Sequence, residues 1–285
     1  MRNLKKTYEG WALITGASSG IGKEMARELA KQKFDLVLVA RNEDALEQLA
    51  QELVSKHGVQ TRVIPLDLVQ DGAPQSLHAR VSDIDVGLLV ASAGIDEMGP
   101  FLDKDYAALR RMLRLNVDAP SELAHLFGRN MATQPKQGKK RSGIILVSSL
   151  FAYQGIPNFA VYAATKAYVL TLGEALTAEM KKNRIDVLTL SPGLTATPFA
   201  AGLKLNAARL PMIPQRPNSV ARVGLRNLGR KMSVVSGPLN KFYAWENRLI
   251  PRSWPVNLFG FLIGHAMKSY QRRQAKLNKA NKARA

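Results

Sequence analysis

Short runs that are apolar from end to end, separated by segments with helical spacing, constrain this chain more than any other feature. WALITG, DLVLVAR, TRVIPLD, DVGLLVASAG, GIILVSS and DVLTLSPG follow one another along the sequence. Between the first of them lie GIGKEMARELAKQK, where Ile21, Met25 and Leu29 recur at helical spacing, and EDALEQLAQELVSKHG, where Leu46, Leu49 and Leu53 share a face and Gly58 closes the end. A strand wetted on one side alternates apolar and polar residues; a run without alternation is buried on both faces, as in a parallel sheet covered by helices. The alternation continues through a long helix from about Tyr106 to Asn130, the basic loop QPKQGKKRSG, a strand, a helix beginning near Tyr162 and a further strand. The expectation is an α/β fold: six or seven parallel strands in a doubly wound, Rossmann-type sheet with three αβα layers. After Gly193 the regularity weakens. TPFAAGLKLNAARLPMIPQRP is rich in Ala, Leu and Pro, Ser219 is placed to cap a helix over VARVGLRNLGR, and MSVVSG reads as a last strand.

Composition sets the outer limits. With 46% hydrophobic and 22% charged residues and a mean hydropathy of −0.13, the 285 residues can bury a large core. One domain over residues 1–240 with an extension over 241–285 is expected. The absence of cysteine excludes disulfides, thiolate catalysis and cysteine zinc sites, and the four histidines, His57, His78, His125 and His265, have no ligand spacing, so no metal is expected. MRNLKKTYEGWALITG has no separate apolar stretch and cleavage site before the first strand, so no secretory signal is read and a cytoplasmic location is the default.

The net charge of +19 is unevenly distributed. Residues 181–285 hold 20 of the 41 Lys/Arg and only two acids, Asp186 and Glu246. Such asymmetry points to an anionic partner, a lipid surface or nucleic acid, for the carboxy-terminal third. No aromatic-interleaved or helix-turn-helix reading motif accompanies the charge, which argues against nucleic acid. The tail opens with NLFGFLIGHAM, shorter than the ~20 apolar residues a spanning helix needs. It continues as KSYQRRQAKLNKANKARA, with seven basic residues and no acid. Two readings stand for this α-helical extension: an interfacial helix on anionic lipid, or Leu258, Phe259, Phe261, Leu262 and Ile263 docking on the domain or a second subunit.

The chemistry concentrates at the ends of the apolar runs. TGASSGIG sets Gly16, Gly20 and Gly22 between a buried strand and a helix, with Ser18, Ser19 and Ile21 in the same turn. Glycine permits the tight turn and a close backbone approach, and the helix amino terminus offers free N–H groups to a pyrophosphate; an ordinary strand-to-helix turn is the plainer reading. An acidic residue at the end of the second strand would accept ribose hydroxyls and repel a 2′-phosphate, but that position reads Ala40-Arg41. Arg41 can grip a phosphate bidentately, so NADPH is expected over NADH; a solvated surface arginine is the plainer reading. In VYAATKA, Tyr162 and Lys166 stand one helical turn apart.

Taken together these residues resemble the short-chain dehydrogenase/reductase family over about residues 8–240. The resemblance rests on Thr15, Gly16, Gly20 and Gly22, Asp67 after the third strand, Asn116, Ser149 thirteen residues before Tyr162, Lys166, and PGLTAT from Pro192 to Thr197. It implies an oxidoreductase in which Tyr162 gives a proton to a carbonyl oxygen while the nicotinamide delivers hydride to carbon. Ser149 would bind the substrate oxygen, Lys166 would lower the phenol's pKa from ~10 and hold the nicotinamide ribose, and Asn116 would join a proton relay. The matched positions Asp67, Leu68, Ala93, Gly94, Pro192, Gly193, Thr195 and Thr197 would complete the cofactor site. Pro120, four residues after Asn116, has no N–H to give to the Asn116 carbonyl, so a local kink is expected there. Where the family commonly has NNAG this chain has Ala91-Ser92-Ala93-Gly94, and Thr195 stands where Ile or Val is frequent.

The resemblance places a lid over about residues 197–218. Phe199, Leu203, Leu205, Leu210, Met212 and Ile213 would make it apolar, with Tyr243, Trp245 and Trp254 downstream, and would suit a hydrophobic carbonyl or alcohol, a lipid, acyl chain or steroid-like molecule; plain core is the other reading of these residues. A homodimer or tetramer through the helices bearing Asn116 and Tyr162 is implied as well. The rival function is a non-catalytic dinucleotide sensor or a nucleic-acid-binding module using the basic third. The complete Asn116, Ser149, Tyr162 and Lys166 set favours the enzyme.

Overall fold

The computed structural model describes residues 3–138, 140–246 and 249–282, the side chains of 276 and 279–282 aside, so that Lys276, Lys279, Lys282 and Arg284 of the basic tail lie outside the described side chains. Among the described residues seven strands form one sheet: β1 Trp11–Thr15, β2 Leu36–Ala40, β3 Thr61–Pro65, β4 Val86–Ala91, β5 Ser142–Val147, β6 Ile185–Ser191 and β7 Ser233–Val235. Their order is β3-β2-β1-β4-β5-β6-β7, every neighbouring pair parallel. The chain winds outward from β1 in one direction and from β4 in the other, which leaves a crevice at the carboxyl ends of these two strands.

The unalternating strand runs are explained by two cores, one on each face of the sheet. In β2, Leu36 and Leu38 pack beneath α1 (Gly20–Ala30) and α2 (Glu43–His57), while Val37 and Val39 face the opposite layer. That layer holds α3 (Ala73–Ala79), α5 (Ala119–Thr133) and α6 (Ala160–Glu179), whose Leu77, Phe127 and Val169 are buried there. Local signals set the helix ends. The Asn42 side chain accepts from the Ala45 N–H to start α2, and Gly58, left-handed at φ 61, stops it.

Two expectations need correction. The long helix from Tyr106 is interrupted: α4 (Tyr106–Leu113) passes through a π-helical segment, Arg114–Asp118, into α5, and the Ala119 N–H bonds to the Arg114 carbonyl. The widened turn contains Asn116, four residues before Pro120, where a regular ladder would have needed the missing proline N–H. Ser219 does not cap its helix. Arg216 is the N-cap of α8 (Pro217–Asn227), because Pro217 has its φ preset for a first helical position, and the Ser219 hydroxyl donates back to the Arg216 carbonyl at 2.8 Å.

A third core lies at the carboxyl end of the sheet and joins segments far apart in sequence. Tyr162 of α6 and Phe159 at its N-cap, Leu205, Leu210 and Met212 of the segment after α7 (Pro198–Ala201), Ala244 of α9 (Pro238–Glu246), and Phe259, Ile263 and Ala266 of α10 (Ser253–Lys282) are buried together. The inward face of α10 thus packs on the domain, and Asn206 ties it there through its N–H to the Ala266 carbonyl at 3.1 Å. Among the described residues no helix is long and apolar enough to cross a membrane.

Candidate active site

The crevice at the ends of β1 and β4 opens into a cavity of about 780 Å³. Its lining includes Gly16, Ser18, Ser19, Gly20, Ile21, Gly22, Arg41, Asp67, Leu68, Ala93, Gly94, Ser149, Tyr162, Lys166, Pro192, Gly193, Thr195 and Thr197. Of the residues expected to act in catalysis, Asn116 stands outside this lining.

At one end lies the glycine turn. Gly16 and Gly20 have φ of 69 and 55, and a Cβ on Gly22 would sit 2.4 Å from the Gly16 carbonyl oxygen. Ser19 at the N-cap of α1 makes no side-chain capping bond, so the first N–H groups of the helix face the cleft without a capping partner. Thr15 secures the opposite wall: its hydroxyl oxygen accepts from the Ser92 and Ala93 N–H groups at 3.1 and 3.2 Å. Arg41, exposed just past the end of β2, lines the same cavity, with the Asn42 side chain occupied in capping α2. These features fit a dinucleotide phosphate run: an open helix terminus, glycines where a side chain would collide, and a cation at the strand end. Asp67 turns its carboxylate to Arg111 at 3.0 Å, tying the end of β3 to α4.

Ser149, Tyr162 and Lys166 meet on the cavity wall. Ser149 opens the short 3-10 turn Leu150–Tyr153, its Oγ accepting from the Phe151 N–H at 3.2 Å. Tyr162 is 8% exposed and lies among aromatic rings, with centroids of Phe151, Phe159 and Phe199 at 6.3, 6.2 and 6.0 Å. Burial pushes the Tyr162 phenol above its ordinary value; a hydrogen bond with Ser149 works against this and the charge of Asp96 adds to it. Lys166 is also buried, which brings its ammonium down to about 8. Its Nζ donates to the Val147 carbonyl at 3.0 Å and lies 5.8 Å from the Tyr162 ring centroid. Burial is the largest influence on both groups, raising the phenol and lowering the ammonium, whose Nζ is hydrogen-bonded to the strand-end carbonyl.

Asn116 stands behind the wall. Its Oδ1 accepts from the Ile95 N–H at 3.0 Å, and its Nδ2 donates to the Ile95 carbonyl at 2.8 Å and to Thr165 Oγ1 at 3.2 Å. Thr165 donates in turn to the Tyr162 carbonyl at 2.7 Å. The side chain therefore clamps the exit of β4 to α6, next to Gly94, where a Cβ would come within 3.3 Å of Lys166 Nζ. Sequence reasoning missed Thr165, Arg111 and the strut Asn240, whose amide donates to the Ser236 carbonyl at 2.7 Å and lies so close to Gly193 that any side chain there would collide. Each also meets a residue distant in the chain, Asn116, Asp67 and Gly193 respectively, and no local pattern announces that meeting.

The apolar segment after Thr197 covers the cavity. Phe199, Leu203, Leu205, Leu210 and Met212 line it, whereas Ile213 is 74% exposed and is no part of the lining. Tyr243 donates its hydroxyl to the Pro211 carbonyl at 3.0 Å and so ties α9 to this segment, while Trp245 and Trp254 point outward.

The family described as short chain dehydrogenase matches residues 10–207. The chain is 32% identical over 263 residues to a 7beta-hydroxysteroid dehydrogenase of Clostridium sardiniense, covering 92% of this chain and 99% of that protein. A solved structure of a 7beta-hydroxysteroid dehydrogenase superposes with a TM-score of 0.81 at 27% identity, over 90% of this chain and 99% of the other. A short-chain dehydrogenase from Sphingobium yanoikuyae in complex with NADPH does so with a TM-score of 0.73 at 25% identity, over 85% and 94%. By the reach of these matches, and with a glycine-turn cleft that brings Ser149, Tyr162 and Lys166 to one wall, the chain belongs to the short-chain dehydrogenase family and is an oxidoreductase.

Proposed function

We propose that the enzyme is an NADPH-dependent reductase of a bulky, apolar ketone of steroid-like shape, with Tyr162 as the proton donor. The observation that carries this reading is the position of the Tyr162 phenol: it lies on the wall of a cavity whose one end is the glycine turn with Arg41 and whose cover is Phe199, Leu203, Leu205, Leu210 and Met212. NADPH would supply hydride to the carbonyl carbon. Gly16, Gly20 and Gly22 would admit its pyrophosphate, Arg41 its 2′-phosphate and Lys166 its nicotinamide ribose. Burial keeps the phenol protonated through neutral pH, the state a proton donor to a carbonyl oxygen needs. Ser149 stands beside it to donate to the same oxygen. The relatives named for a 7beta-hydroxysteroid substrate support the steroid-like shape.

The test follows NADPH consumption with ketones of increasing ring count, comparing the parent with Tyr162→Phe and Arg41→Ala. Tyr162→Phe should lose at least about 100-fold in kcat while still binding NADPH, since general acid catalysis contributes ~100- to 10,000-fold. Arg41→Ala should raise KM for NADPH and leave that for NADH unchanged. Retained turnover in Tyr162→Phe, or equal loss for both cofactors, overturns the assignments. A homodimer or tetramer through the helical segment bearing Asn116 and through α6 belongs to the same reading. Tyr168 of α6 is exposed there, and light scattering should show a mass of two or four chains.

A further inference from the structure

The helix α10 divides its apolar residues between two faces, and only one of them has a partner. Inward, Phe259, Ile263 and Ala266 are buried in the third core, and the Asn206 amide donates to Ser269 at 3.2 Å. Outward, Trp254, Leu258, Phe261, His265, Lys268 and Arg272 are all exposed and follow one another at spacings of four and three, a single stripe along the helix. The stripe is graded, with apolar and aromatic side chains toward its amino terminus and the cations Lys268 and Arg272 at its other end. Phe242 and Trp245 of α9 and Leu249 after it are exposed in the neighbouring segment, Trp254 and Phe261 being 66% and 71% accessible. Such a concentration of outward aromatic residues calls for an occupant.

We propose that this outward stripe of α10 docks on an anionic lipid bilayer. Tryptophan and phenylalanine settle at the headgroup boundary, and Lys/Arg side chains are drawn to anionic headgroups from the same helix. Charge selects this occupant over a second copy of the chain. A stripe at spacings of four and three also suits a helix seam, but α10 contains no acidic residue and Glu246 is the only acid beyond Asp186. Pairing two such helices, parallel or antiparallel, sets cations against a surface with no counter-charge, whereas a bilayer supplies it. Because the inward face of the same helix packs on Leu205 and Leu210 of the lid segment, docking would bring that segment beside the membrane.

Sedimentation of the full chain with vesicles tests this without any turnover. Vesicles of phosphatidylcholine with phosphatidylglycerol should carry the protein down at low salt, phosphatidylcholine alone should not, and high salt should release it. Lys268→Gln with Arg272→Gln should weaken binding about 25-fold, at roughly five-fold per cation lost near the surface. Trp254→Ser with Leu258→Ser and Phe261→Ser should reduce it further while melting temperature and circular dichroism stay unchanged, because these side chains leave the core untouched. No sedimentation with the anionic vesicles overturns the proposal, as does binding that survives the triple serine variant. A parent dimer that this variant converts to a monomer overturns it too, assigning the face to a second copy.

Discussion

Replacing Asn116 by leucine probes the clamp that holds the segment after β4 to α6. Leucine keeps the volume but removes both polar ends. The Ile95 N–H and carbonyl lose partners at 3.0 and 2.8 Å, while Thr165 keeps its bond to the Tyr162 carbonyl and loses only a weaker donor at 3.2 Å. A buried polar group left without a partner costs ~1–3 kcal/mol, and two such groups give about 2–6. Ile95 is only partly buried. Water can therefore reach one of its groups, which brings the expected loss to about 3 kcal/mol, a large share of the ~5–15 kcal/mol typical of a folded domain. Urea unfolding should show a lower midpoint at an unchanged slope. Asn116→Asp sharpens the test, because a carboxylate keeps the acceptor for the Ile95 N–H but sets a second anionic oxygen against the Ile95 carbonyl. That buried carboxyl would have a folded pKa above its unfolded value of ~3.9, so its penalty is full above the folded pKa. It is relieved as pH falls through that value, where the acid regains a donor. Relative to the parent, the aspartate variant should therefore gain stability on acidification. A leucine variant within about 1 kcal/mol of the parent, or an aspartate variant with no such gain, refutes the clamp.

Gly22→Ala should weaken NADPH binding at least about ten-fold in a fluorescence titration and lower the melting temperature, since its Cβ would meet the Gly16 carbonyl oxygen at 2.4 Å and overpacking costs ~1–3 kcal/mol. Burial brings Lys166 from 10.5 to about 8, so the folded state carries a penalty of about 3 kcal/mol below pH 8 that is relieved as pH rises toward 10.5, where the folded protein has released a proton the unfolded chain still binds. Lys166→Met, which leaves the Val147 carbonyl without its donor, should then be about 2 kcal/mol more stable than the parent at pH 7, with the gap closing by pH 10 in denaturant titrations. Phe199→Ala should lower the kcat/KM ratio of large apolar ketones over small ones about ten-fold, because a half-covered ring beside Tyr162 contributes ~1–2 kcal/mol of apolar contact to a large substrate.

Most of the sheet was legible because unalternating apolar runs have one common use. Leu36, Val37, Leu38 and Val39 can all be buried together only in a strand covered on both sides, and a series of such strands with helices between them leaves few topologies. Gly58 and the glycine turn were legible for a related reason, each answering a backbone conformation or approach that a side chain would obstruct. What escaped was polar side chains reaching distant backbone. Thr15 meets Ser92 across 77 positions and Asn116 meets Ile95 across 21, and a sequence names the donor or acceptor without naming its mate. The cap of α8 failed for the opposite reason, two local signals competing, with the fixed φ of Pro217 prevailing over the hydroxyl of Ser219.

The tail shows where pattern reading runs out in principle. NLFGFLIGHAM places apolar residues around both sides of a helix, so one segment satisfies a lipid-surface reading and a packed-helix reading at once. The structure separates the two by residue. Phe259, Ile263 and Ala266 reach the core shared with Tyr162, while Trp254, Leu258 and Phe261 project away from it. A helix needing only an inward anchor would have no use for an outward tryptophan and phenylalanine on the same stripe as Lys268 and Arg272. The packing face accounts for Phe259, Ile263 and Ala266, with Leu262 and Met267 partly buried beside them; Leu258 and Phe261, with Trp254 before them, are left for a partner, and the charge of Lys268 and Arg272 on the same stripe selects an anionic one.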